Sequence, residues 1–326
     1  MQMKVLITGG NGFIGRYVAA EVRRRGHNAV VLARNPAPGE EAAFVCQDLR
    51  QPDGLAAAIK GMDAVVHCAA AMDGDLHTQI AATVEGTANL LAAMTQAGVR
   101  HIVGVSTFAL YDYLRIPPES LLDEDSPLES NFPSRAPYIQ AKARQEDLIR
   151  EHTSANQWRW TIVRPGIVFG RDRTWFHHLG MQLTPRQWVC LAGDSLLPLT
   201  YVENCADCIV DALENDAANG ATFNIVDDDL PGRFRYMDAL AKRAQPKPSI
   251  IGVPWSFLDR ASRLASGLGD FPLPDLLRPA SLHARCKPLR YSNRRAKQAL
   301  GWRPRWSIEE GINRSFATPS GPAGRQ

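Results

Sequence analysis

The chain has 326 residues, of which 45% are hydrophobic, with a formal net charge of +3 and six cysteines. That length buries a large core in one big or two coupled domains, and so small a charge gives no basic field for nucleic acid. The cysteines follow no disulfide spacing, the apolar runs are too short to span a bilayer, and a strand begins by Lys4 with no signal peptide before it. The expectation is a cytoplasmic protein with no integral membrane segment.

The opening run Val5-Leu6-Ile7 reads as a buried strand, Thr8-Gly9-Gly10-Asn11-Gly12-Phe13-Ile14-Gly15 as a glycine-rich turn, and residues 17–22 as the helix that leaves it. Gly9 and Gly12 allow a tight turn and close approach of a pyrophosphate. The first amides of the helix, at Phe13 and Ile14, face its charge, and Gly15 lets helix and strand lie close. A second strand spans residues 27–34 and ends in Ala33-Arg34. A third spans 43–49 and ends in Asp48-Leu49, a short helix covers 55–59, and a fourth strand, 62–70, ends in His67-Cys68-Ala69-Ala70. A helix follows over 83–94, then a fifth strand, 101–105, that leads to Ser106-Thr107.

A loop rich in Pro and acid runs from 117 to 137 and delivers Tyr138-Ile139-Gln140-Ala141-Lys142. Residues four apart share a helical face, so the phenol and the ammonium can meet one bound nucleotide, and the ammonium is expected to lower the Tyr138 pKa toward working pH. A sixth strand, from 160, runs into Arg164-Pro165-Gly166-Ile167-Val168-Phe169-Gly170. Residues 197–207 and a strand at 221–226 return to the sheet, and Leu300-Gly301-Trp302 closes the chain. Cys205 and Cys208 form a single Cys-x-x-Cys with no second pair, and no metal site is expected.

Taken together, these motifs resemble the extended short-chain dehydrogenase/reductase superfamily, in which nucleotide-sugar epimerases, dihydroflavonol-type reductases and 3β-hydroxysteroid-type dehydrogenases occur. The resemblance covers the chain from Met3 to about Trp302. It implies an α/β fold with a doubly wound parallel (Rossmann) sheet and a smaller mixed C-terminal substrate domain. The division it suggests is a cofactor-binding part at 1–170 plus 198–226 and a substrate-binding part at 171–197 plus 227–326.

The same resemblance implies that Thr107, Tyr138 and Lys142 are catalytic. Asp48 and Leu49 would line the adenine pocket, Ala69 and Ala70 would let phosphate and ribose pass, and Pro165, Ile167 and Val168 would pack on the nicotinamide. His67 reads as a strand-end residue that shapes its loop, and Arg164 as structural. Thr83 stands where many relatives carry an Asn that helps water feed the catalytic lysine. NAD-preferring relatives have a carboxylate at the Ala33 position. Its absence here, with Arg34 following, points to NADP, whose extra phosphate a guanidinium grips, with NAD the alternative cofactor.

Arg171 opens a divergent substrate segment. Arg285, Lys287, Arg290, Arg294 and Arg295 lie where sugar-nucleotide enzymes often place cations for a diphosphate, Arg290 foremost. Against that, residues 250–258 with Leu264, Leu268, Phe271 and Leu273 resemble the apolar pocket segment of steroid- and flavonoid-type relatives. Phe108-Ala109 replaces the Asp-Glu pair of sugar dehydratases. The leading expectation is hydride transfer at a secondary alcohol or ketone of a nucleotide sugar. The alternatives are an NADPH-dependent reductase of an apolar ketone and a cofactor-binding protein without turnover. A small-molecule substrate is the expected partner, with a homodimer through the helices bearing Gly86 and Tyr138.

Overall fold

The computed structural model describes residues 2–35, 43–132, 135–193, 195–266 and 278–317. Among these, seven strands form one parallel sheet: β1 Lys4–Thr8, β2 Asn28–Ala33, β3 Ala43–Cys46, β4 Ala64–His67, β5 His101–Val105, β6 Arg159–Pro165 and β7 Ala221–Ile225. Their order is β7-β6-β5-β4-β1-β2-β3. The expected doubly wound fold is thus present, and its strand order reverses between β1 and β4. At such a reversal the connections leave in opposite directions and open a crevice beyond the strand ends.

The strands read as unbroken apolar runs because both faces are covered. In β1, Val5 and Ile7 enter one buried cluster and Leu6 the other. The first cluster is closed by α1 (Phe13–Arg24) and by the helix Val202–Glu214, and Cys205 and Cys208 are wholly buried in it. The second is closed by α2 (Gly86–Ala97) and α3 (Pro137–Ala155), through residues such as Leu90, Met94 and Ile149. The chain's last part returns to the first cluster, where Ala296, Leu300 and Trp302 are buried. Arg25 fastens the two helices of that layer, pairing with Glu21, Asp207, Asp211 and Glu214 at 2.6–2.9 Å.

Two elements differ from expectation. β3 ends at Cys46, leaving Asp48 and Leu49 in the loop beyond it. The helix expected from Thr83 is instead a π-helical turn over Ile80–Glu85 that continues into α2. There the Thr87 hydroxyl donates to the Thr83 carbonyl, a side-chain bond that competes with the regular helical ladder.

Beyond the main sheet, Ile167–Phe169 pairs with Leu199–Tyr201, and Gly180–Thr184, Gln187–Leu191 and Ser249–Val253 form a three-stranded sheet. The buried Arg233 guanidinium holds this region together, donating to Ser195 Oγ and to the carbonyls of His178 and Arg285. No helix among the described residues is long and apolar enough to cross a membrane.

Candidate active site

The glycine turn sits at the reversal point, with contacts that admit no side chain. Gly9 has φ +65°, and a Cβ there would lie 2.9 Å from the backbone of Ala69. A Cβ on Gly15 would lie 2.2 Å from the Gly9 carbonyl oxygen, so β1 and α1 approach each other only through glycine. Gly12 caps α1, and among the described residues no side chain caps the first amides of the helix, which include those of Phe13 and Ile14. A bare helix N-terminus beside a glycine cradle fits a dinucleotide pyrophosphate by charge and by shape.

Arg34 is exposed at the exit of β2, where its carbonyl accepts from the Cys46 thiol at 3.1 Å. Asp48 is gripped by Arg50 at 2.6 Å, and that bond holds its carboxyl below the usual range. Leu49 is buried, and Asn89 of α2 anchors its carbonyl at 2.9 Å. Ala69 and Ala70 are half-buried beyond β4, Pro165 is buried at the end of β6, and Ile167 and Val168 are half-buried just past it.

Pro137 starts α3, its missing amide being harmless at a first helical position, and so places Tyr138 in the first turn and Lys142 in the second. Thr107 follows β5, caps the short turn Phe108–Leu110 by accepting from the Ala109 amide at 3.2 Å, and acts to lower the pKa of the Tyr138 phenol. The sheet and α3 thereby bring two of the three expected catalytic side chains near enough for one to act on the other.

The expected effect of Lys142 on Tyr138 is corrected by this geometry. Lys142 is 2% exposed, and its ammonium donates to the Val105 carbonyl and to Gln145 Oε1. Burial pushes the Tyr138 phenol up to about 12, with only Thr107 opposing it. Burial also brings Lys142 down to about 8, although Glu146 and then Cys68 pull it upward. Desolvation disfavours whichever form carries charge, and Lys142 is not among the groups that shift the Tyr138 phenol.

One turn beyond Lys142, Glu146 makes a two-pronged bond with Arg164 at 2.8 and 2.9 Å. Arg164 also reaches the Tyr111 hydroxyl at 3.3 Å, and Tyr111 donates to Asn224 Oδ1 at 2.7 Å. Burial works to raise the Glu146 pKa, but Arg164 holds it below its ordinary value. The pair bolts α3 to β6.

Of the cations singled out from the sequence, several are committed elsewhere. Lys287 is 4% exposed and donates to the carbonyls of Tyr113 and Ile116, both at 2.6 Å. Arg295 pairs with Asp125 at 2.7 Å, and Arg171 donates to the Ala317 carbonyl. Arg290 is exposed, with its Nε 3.1 Å from the Glu119 carbonyl. In the apolar stretch Leu258 is buried against Leu282, whereas Ile251, Phe257 and Leu264 are exposed. Leu268, Phe271 and Leu273 lie outside the described residues. Beside Thr107, Phe108, Tyr111 and Tyr113 form a buried cluster, and the Tyr291 ring lies 6.2 Å from that of Phe108.

Gln145 was missed in the sequence. Its spacing of three from Lys142 puts both on one helical face, a signal that is common enough on helices to pass unnoticed.

Residues 5–226 match the family described as NAD dependent epimerase/dehydratase. The chain is 28% identical to a 2-alkyl-3-oxoalkanoate reductase of Stenotrophomonas maltophilia, over 97% of this chain and 99% of that protein. It is 29% identical to the N-acetyl-alpha-D-glucosaminyl-diphospho-ditrans,octacis-undecaprenol 4-epimerase of Escherichia coli O157:H7, over 70% of this chain and 68% of that one. Among solved structures, a UDP-glucose-4-epimerase from Stenotrophomonas maltophila with bound NAD and formylated UDP-arabinopyranose superposes with a TM-score of 0.73. It is 20% identical, over 97% of both chains, a likeness of fold.

Proposed function

The chain belongs to the NAD-dependent epimerase/dehydratase family, and from that premise we propose that it is an NADP-linked reductase of a ketone on a largely apolar small molecule. The observation that carries the reading is Lys142 buried on α3 one helical turn beyond Tyr138, on the helix whose Gln145 reaches the Ala69 loop against which Gly9 packs.

In this reading the turn at Gly9, Gly12 and Gly15 and the amides of Phe13 and Ile14 hold the pyrophosphate. Arg34 grips the 2′-phosphate, Asp48 and Leu49 border the adenine, and Ala69 and Ala70 give the backbone clearance. Pro165, Ile167 and Val168 pack on the nicotinamide, and Lys142 holds the ribose hydroxyls. When bound, the cofactor supplies the hydride. Thr107 donates to the substrate oxygen as negative charge builds there, and the Tyr138 phenol gives that oxygen its proton, so the carbonyl becomes a secondary alcohol. The division into cofactor and substrate parts at 170, 198 and 227 belongs to the same proposal.

Support for an apolar ketone comes from the committed cations and from the aromatic cluster next to Thr107. A full-length relative that is a reductase of oxoalkanoates points the same way. The nucleotide-sugar reading is favoured by exposed Arg290, available to a diphosphate, and by the epimerase relative.

Nicotinamide absorbance separates the two. A reductase consumes NADPH in step with ketone, whereas an epimerase returns its hydride and interconverts sugars with no net absorbance change. Tyr138→Phe should lower kcat by roughly 10²–10⁴-fold with cofactor affinity unchanged. Undiminished turnover in that variant would refute the catalytic assignment, and tight cofactor binding without turnover on any substrate would leave the non-catalytic reading.

A further inference from the structure

We propose that Gln145 is the positioning residue of this site, a neutral bridge that fixes the Lys142 ammonium and ties it to the loop after β4. The proposal rests on the reading of Lys142 given above.

The hydrogen-bond directions follow from one fixed point. An ammonium has only donors, so the side-chain oxygen of Gln145 must face it and the amide NH₂ must face the other way. That NH₂ lies 2.9 Å from His67 Nε2, 2.9 Å from Thr87 Oγ1 and 3.3 Å from the Ala69 carbonyl. His67 Nε2 also lies 2.8 Å from Thr87 Oγ1, and its Nδ1 lies 2.6 Å from Thr8 Oγ1. Burial, with the nearby Lys142 charge, holds His67 down to about 3. The ring is a neutral strut between the ends of β1 and β4.

The same network answers what becomes of residue 83. The Thr83 hydroxyl accepts from the Ala71 amide at 3.0 Å, and its carbonyl accepts from Thr87. Both oxygens of Thr83 are thus engaged in holding the loop at residues 69–71 and the π-helical turn. Lys142 is instead held through Gln145, on its own helix. Two ammonium protons are fixed, by Val105 and Gln145, which leaves the third for a ribose hydroxyl. Through its contacts with Ala69 and Thr87, Gln145 sets the lysine and the β4 loop in one arrangement, so both would meet the same nucleotide in register.

A purely space-filling Gln145 would tolerate replacement without changing Lys142, and two variants distinguish the roles. Gln145→Glu keeps the shape and puts a carboxylate against the ammonium, whereas Gln145→Leu removes the acceptor. The other groups acting on Lys142 are Glu146 on α3, and Cys68 and neutral His67 beside β4, and all stay in place. The titration of Lys142 is followed by NMR on protein with ¹³C-labelled lysine, assigned with Lys142→Met, and NADP⁺ affinity by tryptophan quenching.

Gln145→Glu should raise the Lys142 titration by about one unit or more, the size expected of an adjacent opposite charge. Gln145→Leu should lower it and weaken NADP⁺ binding roughly tenfold, as expected for a lost bond to a charged group. An unmoved titration with unchanged affinity would overturn the proposal. Should Gln145→Leu fail to fold, Gln145→Glu alone decides, and a wild-type titration there is equally fatal. A wild-type protein without turnover would sink the reductase reading while leaving the Lys142 titration to judge Gln145.

Discussion

Replacing Lys142 with Met tests how much free energy the site invests in a buried ammonium. Burial moves Lys142 from 10.5 to about 8 in the folded protein, and at 2% exposure solvent screening hardly softens the shift. Below pH 8 the group is charged in both states, and the folded protein bears the full penalty, about 3 kcal/mol for a shift of that size. Between pH 8 and 10.5 the folded state releases its proton while the unfolded state keeps one. The unfolded state then binds more protons, and stability rises with pH. Above 10.5 the penalty is gone.

Lys142→Met has no such term. The lost bonds to Val105 and Gln145 change the offset between the two proteins but not its slope. Denaturant unfolding of both at intervals from pH 7 to 10.5 should therefore show the wild type gaining about 3 kcal/mol on the variant across the window, other titrations cancelling in the difference. A flat difference would mean that Val105, Gln145 and Glu146 compensate the charge fully. A falling one would mean that they over-compensate. Either result refutes desolvation as the dominant influence on this lysine.

Two further outcomes follow from single side chains. Arg34→Glu should weaken NADPH binding by roughly tenfold or more, since it exchanges a charge-assisted bond for repulsion, and should leave NADH nearly unaffected. Equal loss of both, or of neither, in a fluorescence titration removes Arg34 from the 2′-phosphate. Arg164→Met leaves the Glu146 carboxylate buried without its two-pronged partner and should destabilise the protein by about 3 kcal/mol, the low end for a broken buried pair. The low end applies because Arg150 still contacts Glu146 at 2.7 Å. Adding Glu146→Gln should restore most of the loss, and a double variant no better than Arg164→Met alone would contradict the pairing.

The opening strand and the glycine turn were legible because they are local: an apolar run, three glycines and a helix start occupy residues 5–22. Tyr138 and Lys142 were legible for the same reason, their spacing being fixed by one helix. What escaped depends on contacts across long stretches of chain. The partner of Lys142 that matters most for its charge is bulk burial, which spacing does not encode. Gln145 acquires meaning only because β4 brings His67 and α2 brings Thr87 beside it, 78 and 58 residues away in sequence. Lys287 read as a phosphate ligand by its neighbours in sequence, yet it folds inward onto carbonyls 174 and 171 residues distant.

The two protonation shifts bear on the direction of the chemistry. Burial drives both Tyr138 and Lys142 toward their neutral forms, up to about 12 and down to about 8. At neutral pH the phenol therefore carries its proton almost entirely, and the group poised beside Thr107 is an acid. An acid serves reduction, in which a carbonyl oxygen must be protonated as hydride arrives. Oxidation of an alcohol would first require the phenolate, at a free-energy cost that grows with each unit separating the phenol pKa from the pH. Thr107 is the one group that works against that cost, and burial outweighs it. Reduction bears no such cost, which is in keeping with the ketone reductase proposed above.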